Sequence, residues 1–128
     1  MKIKTAELEG AALDWAVAKA NNESRVRVDA LGKPIMLRDH VFHDCLFSRD
    51  WSQGGPLIAK HRVSVVFDTQ NNGYYKAEEW QGHVELFTYY EEWRDEGSSD
   101  GSTPLIAAMR AIVASKLGDE VDVPEDLI

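Results

Sequence analysis

The chain has 128 residues, with 14 basic against 22 acidic, a formal net charge of −8, which suits one domain spanning 1–128 and leaves no room for two independent cores. A hydrophobic fraction of 44% beside 28% charged residues excludes a disordered chain, and no apolar run approaches the roughly 18–20 residues of a membrane span. The lone Cys45 excludes an internal disulfide and suits a reducing cytoplasm, while the acidic balance argues against direct nucleic-acid binding, since phosphate contacts need clustered lysine and arginine.

In chain order, Ile3 and Thr5 suggest a short strand, behind a start (MKIKTAELEG) that is charged where a signal peptide would be apolar. The alanine-rich EGAALDWAVAKA predicts a helix from Glu9 through Ala20, ending at Asn21-Asn22. Leu13, Ala16, Val17 and Ala20 make one apolar strip on it, and Leu8, Ala12 and Trp15 a second. Such a helix is sandwiched between layers or subunits. Arg25–Val28 and Pro34–Leu37 alternate around a Leu-Gly-Lys turn and predict a hairpin. From His40 to Arg62 no period is sustained, although Pro56 suits the first position of a short helix. Three strands follow, at Val63–Phe67, Tyr74–Trp80 and His83–Tyr90, with turns at Asn71-Asn72-Gly73 and Gln81-Gly82. Glu96–Ser102 reads as a loop. The last helix is capped by Thr103 or Ser102, has Pro104 in its first turn and stops at Gly118. Small residues at Ala107, Ala111, Ala114 and Ser115 let another backbone approach its back. The fold class expected is therefore α+β, a mostly antiparallel twisted sheet, as a β-meander, packed against two long helices near the N- and C-termini. Two helices apolar around most of their circumference also predict a homodimer.

Three strings, KTAELEGAALDWAVAKA, DWSQGGPLI and TPLIAAMRAIVASKLGDEV, occur in order and together resemble the NinX-type family. These are small proteins of tailed bacteriophages and prophages that carry a domain of unknown function. The resemblance implies a phage or prophage accessory protein in the cytoplasm of an infected bacterium, and it implies no reaction.

The most function-like feature is Trp51-Ser52-Gln53-Gly54-Gly55-Pro56. Two glycines permit close backbone approach and positive φ, a helix opening at Pro56 offers free N–H groups to an anion, and Trp51 offers a stacking surface. A tight turn pinned by a buried tryptophan accounts for the same residues. The second candidate is the Thr103 cap with Arg110 two turns on, where a guanidinium at the edge of an apolar face calls for a carboxylate or an anion. If the two converge, Trp51, Gln53, Gly54, Gly55, Thr103 and Arg110 would line one pocket for a small anionic, nucleotide-like ligand.

His40, His43 and Cys45 form H-x-x-H-x-C without the second ligand pair that structural zinc wants, so no metal is expected. No phosphate-binding loop, nucleophile elbow or dinucleotide fingerprint is present, so neither a cofactor nor a catalytic residue is expected. The charge is uneven, +2 over residues 1–64 and −10 over 65–128. With the run Glu91–Glu96 and the aromatics of the meander, this gives an alternative reading, an acidic adaptor or inhibitor that binds a host protein. A small enzyme ranks below both.

Overall fold

In the computed structural model, which describes residues 1–68, 79–87 and 93–128, the chain builds three antiparallel sheets around three helices. Strand β1 (Lys2–Lys4) leads through a 3₁₀ turn to helix α1 (Gly10–Ala20). Strands β2 (Ser24–Val28), β3 (Pro34–Arg38) and β4 (Val41–Asp44) follow, then helix α2 (Trp51–Lys60). Next come β5 (Val63–Asp68), β6 (Glu79–Phe87), β7 (Trp93–Gly101), helix α3 (Pro104–Leu117) and β8 (Glu120–Asp122). The sheets have the orders β2-β3-β4, β5-β6-β7 and β1-β8.

The α+β class holds, and the pairing is antiparallel throughout the described strands. The single meander does not: the strands divide into three sheets, and a third helix of 10 residues stands between two of them. Gln81-Gly82 is not a turn, because β6 runs straight through it with Gly82 opposite both Val65 and Ser99. Likewise 96–101 belongs to strand β7 rather than a loop. The Asn71-Asn72-Gly73 turn lies outside the described residues, as do Tyr74, Tyr75, Tyr89, Tyr90, Glu91 and Glu92.

Helix α3 occupies the centre. Thr103 Oγ1 accepts from Ile106 N–H at 3.1 Å, and Gly118, at φ +91°, ends the helix. One side of α3 meets α1, where Leu13, Val17, Met109 and Ile112 are fully buried; each side chain of this size contributes about 2 kcal/mol by leaving water. The other side lies on β6 and β7. A Cβ on Gly82 would strike the Ala107 carbonyl oxygen, and one on Gly101 would come within 2.5 Å of Ala107 N. Glycine facing alanine is what lets helix and sheet backbones touch, so the small side of α3 is filled from within the chain. Helix α1 is also covered, with a third buried side at Asp14 and Ala18 beyond the two apolar strips. Most of the surfaces that predicted a homodimer are thus packed inside one chain, while Trp15, Ala114 and Ser115 are only half-buried.

Helix α1 ends in a Schellman motif. Asn22 is left-handed (φ 55°), Glu23 N–H donates to the Ala18 carbonyl and Asn22 N–H to that of Lys19. Glu23 then receives both Nε and Nη2 of Arg38 on β3, at 2.9 and 2.5 Å. The Asn21 Oδ1 accepts from Lys60 Nζ at the end of α2 at 2.7 Å.

Candidate functional site

Helix α2 begins five residues earlier than proline chemistry suggests, which corrects the Pro56 expectation. Asp50 is the cap: its Oδ1 accepts from Ser52 N–H at 2.9 Å and from the Ser52 hydroxyl at 2.7 Å. These bonds hold the Asp50 carboxyl below its ordinary range. Pro56 sits in the helix interior, where it withholds an N–H from the Ser52 carbonyl. Gly54 and Gly55 are helical and have no positive φ.

The two glycines differ. A Cβ on Gly54 would collide with the Phe47 carbonyl oxygen and stand 2.7 Å from Leu105 Cδ1, whereas one on Gly55 would meet only Trp51 Cε3 at 3.6 Å. Gly54 is therefore where α2 presses on both the preceding turn and the first turn of α3. Gln53 closes that turn: its Nε2 donates to the Asp44 carbonyl at 2.8 Å and its Oε1 accepts from Leu46 N–H at 2.7 Å. Trp51, by contrast, is 55% exposed at the first position of α2.

On α3, Thr103 is exposed and caps its own helix. Pro104 supplies no N–H there, so the donors available to an anion at this helix start are few. Arg110 Nε donates to the Leu8 carbonyl at 2.8 Å. Contact of Gly54 with Leu105, two residues past Thr103, brings α2 against the start of α3. The donor groups of Gln53 and Asp50's helix start are directed into the chain itself.

One residue escaped the sequence reading. Asp14 is fully buried on the third side of α1, and its Oδ1 accepts from Ser48 N–H at 2.7 Å while Oδ2 accepts from Arg49 Nη2 at 3.0 Å. Burial raises its pKa, against the lowering effect of the Ser48 and Arg49 bonds. Asp14 thereby anchors the 45–50 turn that aims α2. The available signal was an acid between Leu13 and Trp15 in an otherwise apolar and alanine-rich helix.

Cys45 is buried, and desolvation pushes its thiol up to about 12, the opposite of an activated nucleophile. His40 and His43 are exposed while Cys45 points inside, and no three His, Cys, Asp or Glu side chains among the described residues are grouped to hold a metal. No described helix is long and apolar enough to cross a membrane.

Fold and site together define a small α+β protein whose most distinctive segment is a rigidly capped helix start displaying one tryptophan. The chain belongs to the family described as Bacteriophage P22, NinX, which matches residues 4–116. No curated protein matches it.

Proposed function

We propose that this chain is a non-enzymatic phage accessory protein that works in the host cytoplasm by binding another protein, with Trp51 as the anchor. The observation that carries the reading is Trp51 itself: a large indole, 55% exposed, on a helix start immobilised by the Asp50 cap, the Gln53 bridge and the buried Asp14 beneath. Exposed aromatic anchors on rigid elements are the residues that dominate protein interfaces. Asp119, Glu125 and Asp126 are exposed, and their charge favours a basic partner by speeding encounter.

The anionic-ligand reading, with Trp51, Gln53, Gly54, Gly55, Thr103 and Arg110 around one pocket, draws less support. Both helix starts direct donors to their own caps, and the Gln53 amide is engaged at both ends. The test separates the two. A photoreactive aromatic amino acid placed at position 51 should crosslink one discrete host protein in infected cells. Trp51→Ala should abolish co-purification of that protein with the thermal midpoint changed by no more than about 2 °C. Absence of a discrete adduct would count against the anchor. A nucleotide that raises the thermal midpoint of the native protein, but not of Trp51→Ala, would restore the ligand pocket.

A further inference from the structure

The ends of α1 and α2 meet in a hydrogen-bond network that leaves positive charge uncompensated. Asn21 Nδ2 donates to Glu23 Oε2 at 2.5 Å, which fixes the amide with its oxygen turned the other way. That oxygen accepts from Lys60 Nζ at 2.7 Å, and His61 Nε2 stands 3.0 Å from it. An amide oxygen only accepts, so His61 carries its proton on Nε2 and keeps Nδ1 as the nitrogen that can take another.

Glu23 is the acid of this network, and it is already engaged by Nε and Nη2 of Arg38, so those two charges cancel. Lys116, at the end of α3, bears on the same imidazole. Burial first, then the charges of Lys60 and Lys116, disfavours the protonated ring. Among the described residues the ion pairs are Met1–Asp122, Arg38–Glu23 and Arg49–Asp14, and neither Lys60 nor Lys116 belongs to one. Both lysines are exposed and His61 is half-buried. The end of α2 is capped, with His61 N–H on the Leu57 carbonyl and Arg62 N–H on that of Ala59, and a helix end offsets only part of a lysine's charge. A chain of net charge −8 thus gathers two unpaired ammonium groups around one titratable ring.

We propose that Lys60, His61 and Lys116 bind one phosphate group, free or as the monoester of a small molecule, at the end of α2 remote from Trp51. The site lies beyond the partner surface and does not depend on it, since Trp51 is the first residue of the same ten-residue helix. The lysines act as point charges toward phosphate oxygens, and the ring becomes a third cationic donor on taking a proton at Nδ1. Phosphate suits this set better than a carboxylate does. It carries about −1.5 to −2 at neutral pH with a second ionisation near pH 6, beside the ordinary imidazole range. Ring and dianion therefore stabilise each other's charged forms, whereas a carboxylate neutralises one lysine and leaves the other.

The experiment follows the His61 ring by NMR across pH in the full chain. Inorganic phosphate or glycerol phosphate is added at constant ionic strength, with chloride and acetate as controls. In saturating phosphate the His61 midpoint should rise by about one pH unit, while His40 and His43, both exposed on the β3–β4 hairpin, stay in place. Lys60→Gln and Lys116→Gln should each weaken phosphate binding about tenfold. Arg62→Gln, which removes an exposed cation one residue on, and Trp51→Ala should change it by no more than about twofold. Tighter binding of glycerol phosphate identifies a small-molecule monoester as the ligand, and equal or tighter binding of inorganic phosphate identifies the free ion. Equal movement of His61 in phosphate, acetate and chloride would reduce the effect to screening and overturn the proposal. So would a His61 midpoint that phosphate does not move, or undiminished binding in a folded variant lacking both lysines.

Discussion

Adjacent glycines in α2 have opposite functions, and substitution should separate them. Gly54→Ala forces a methyl against the Phe47 carbonyl and Leu105 and is expected to destabilise by about 3 kcal/mol, since neither backbone nor core can yield cheaply. Gly55→Ala meets only ordinary contact with Trp51 and should stabilise by about 0.5–1 kcal/mol, because alanine restricts the unfolded chain and favours helix. Urea unfolding of both variants checks the pair. Asp14 gives a test with a pH signature. Asp14→Ala leaves the Ser48 amide without its acceptor and should cost about 2–3 kcal/mol, against about 1 for Asp14→Asn, which keeps an oxygen there. Burial raises the Asp14 pKa above its unfolded value of 3.8. Its contribution to stability is therefore fully present below pH 3.8 and declines as pH rises through the folded pKa. Asp14→Asn should accordingly cost more below pH 3.8 than at neutrality. Glu23 has the opposite sign: the Arg38 bonds lower its pKa below 4.5, so its contribution is present above 4.5 and lost as pH falls through the lowered value.

At the scale of elements, the β3–β4 hairpin closes through Asp39 and His40, both left-handed at φ 49° and 66°. Two positive φ values between paired strands make the primed turn that suits strand twist, but its favoured sequence is Asn-Gly or Asp-Gly. His40→Gly should therefore stabilise the protein by about 0.5–1 kcal/mol, read as a raised thermal midpoint with no change in the far-ultraviolet spectrum. This strand was not legible in the sequence because His40–Asp44 lacks both alternation and a glycine turn. Strand β8 had a readable signal, the alternating Asp119-Glu120-Val121-Asp122-Val123, with Val121 and Val123 buried. Helix α3 was legible because Thr103, Pro104 and Gly118 act locally, through hydrogen bonds and φ preferences within a few residues. Helix α2 was obscured by Gly54, Gly55 and Pro56, which are poor helix residues individually. Asp50 and the packing of Gly54 on Phe47 and Leu105 override their propensity.

Across the whole molecule, the two ends of the chain are tied together. In the β1–β8 pair Lys2 stands opposite Asp122 and Lys4 opposite Glu120, with Ile3 and Val121 between them, and the terminal amine reaches Asp122 Oδ1 at 2.9 Å. Thr5 Oγ1 adds a bond to the Gly118 carbonyl at 2.6 Å, fixing the end of α3 beside the start of the chain. Part of the acidity of the second half is thus balanced by basic residues of the first. The helices that looked too apolar for one domain are accounted for by the same closure, since α3 is enclosed between α1 and the β6–β7 sheet.

The sequence by itself determined the helices α1 and α3, the Thr103 and Gly118 caps of α3, the β2–β3 hairpin, the α+β class and the family, because each depends on local periodicity, local capping or a string of residues read in order. Only the tertiary structure decided that Gly82 and Gly101 serve as seats for Ala107, that Gln53 bridges Asp44 and Leu46, and that Asp14 lies buried under the turn that aims Trp51. These are contacts between residues far apart in the chain. A glycine needed for close approach and a glycine needed for a turn are the same letter, and an acid on a helix shows its burial only when its neighbours are in place.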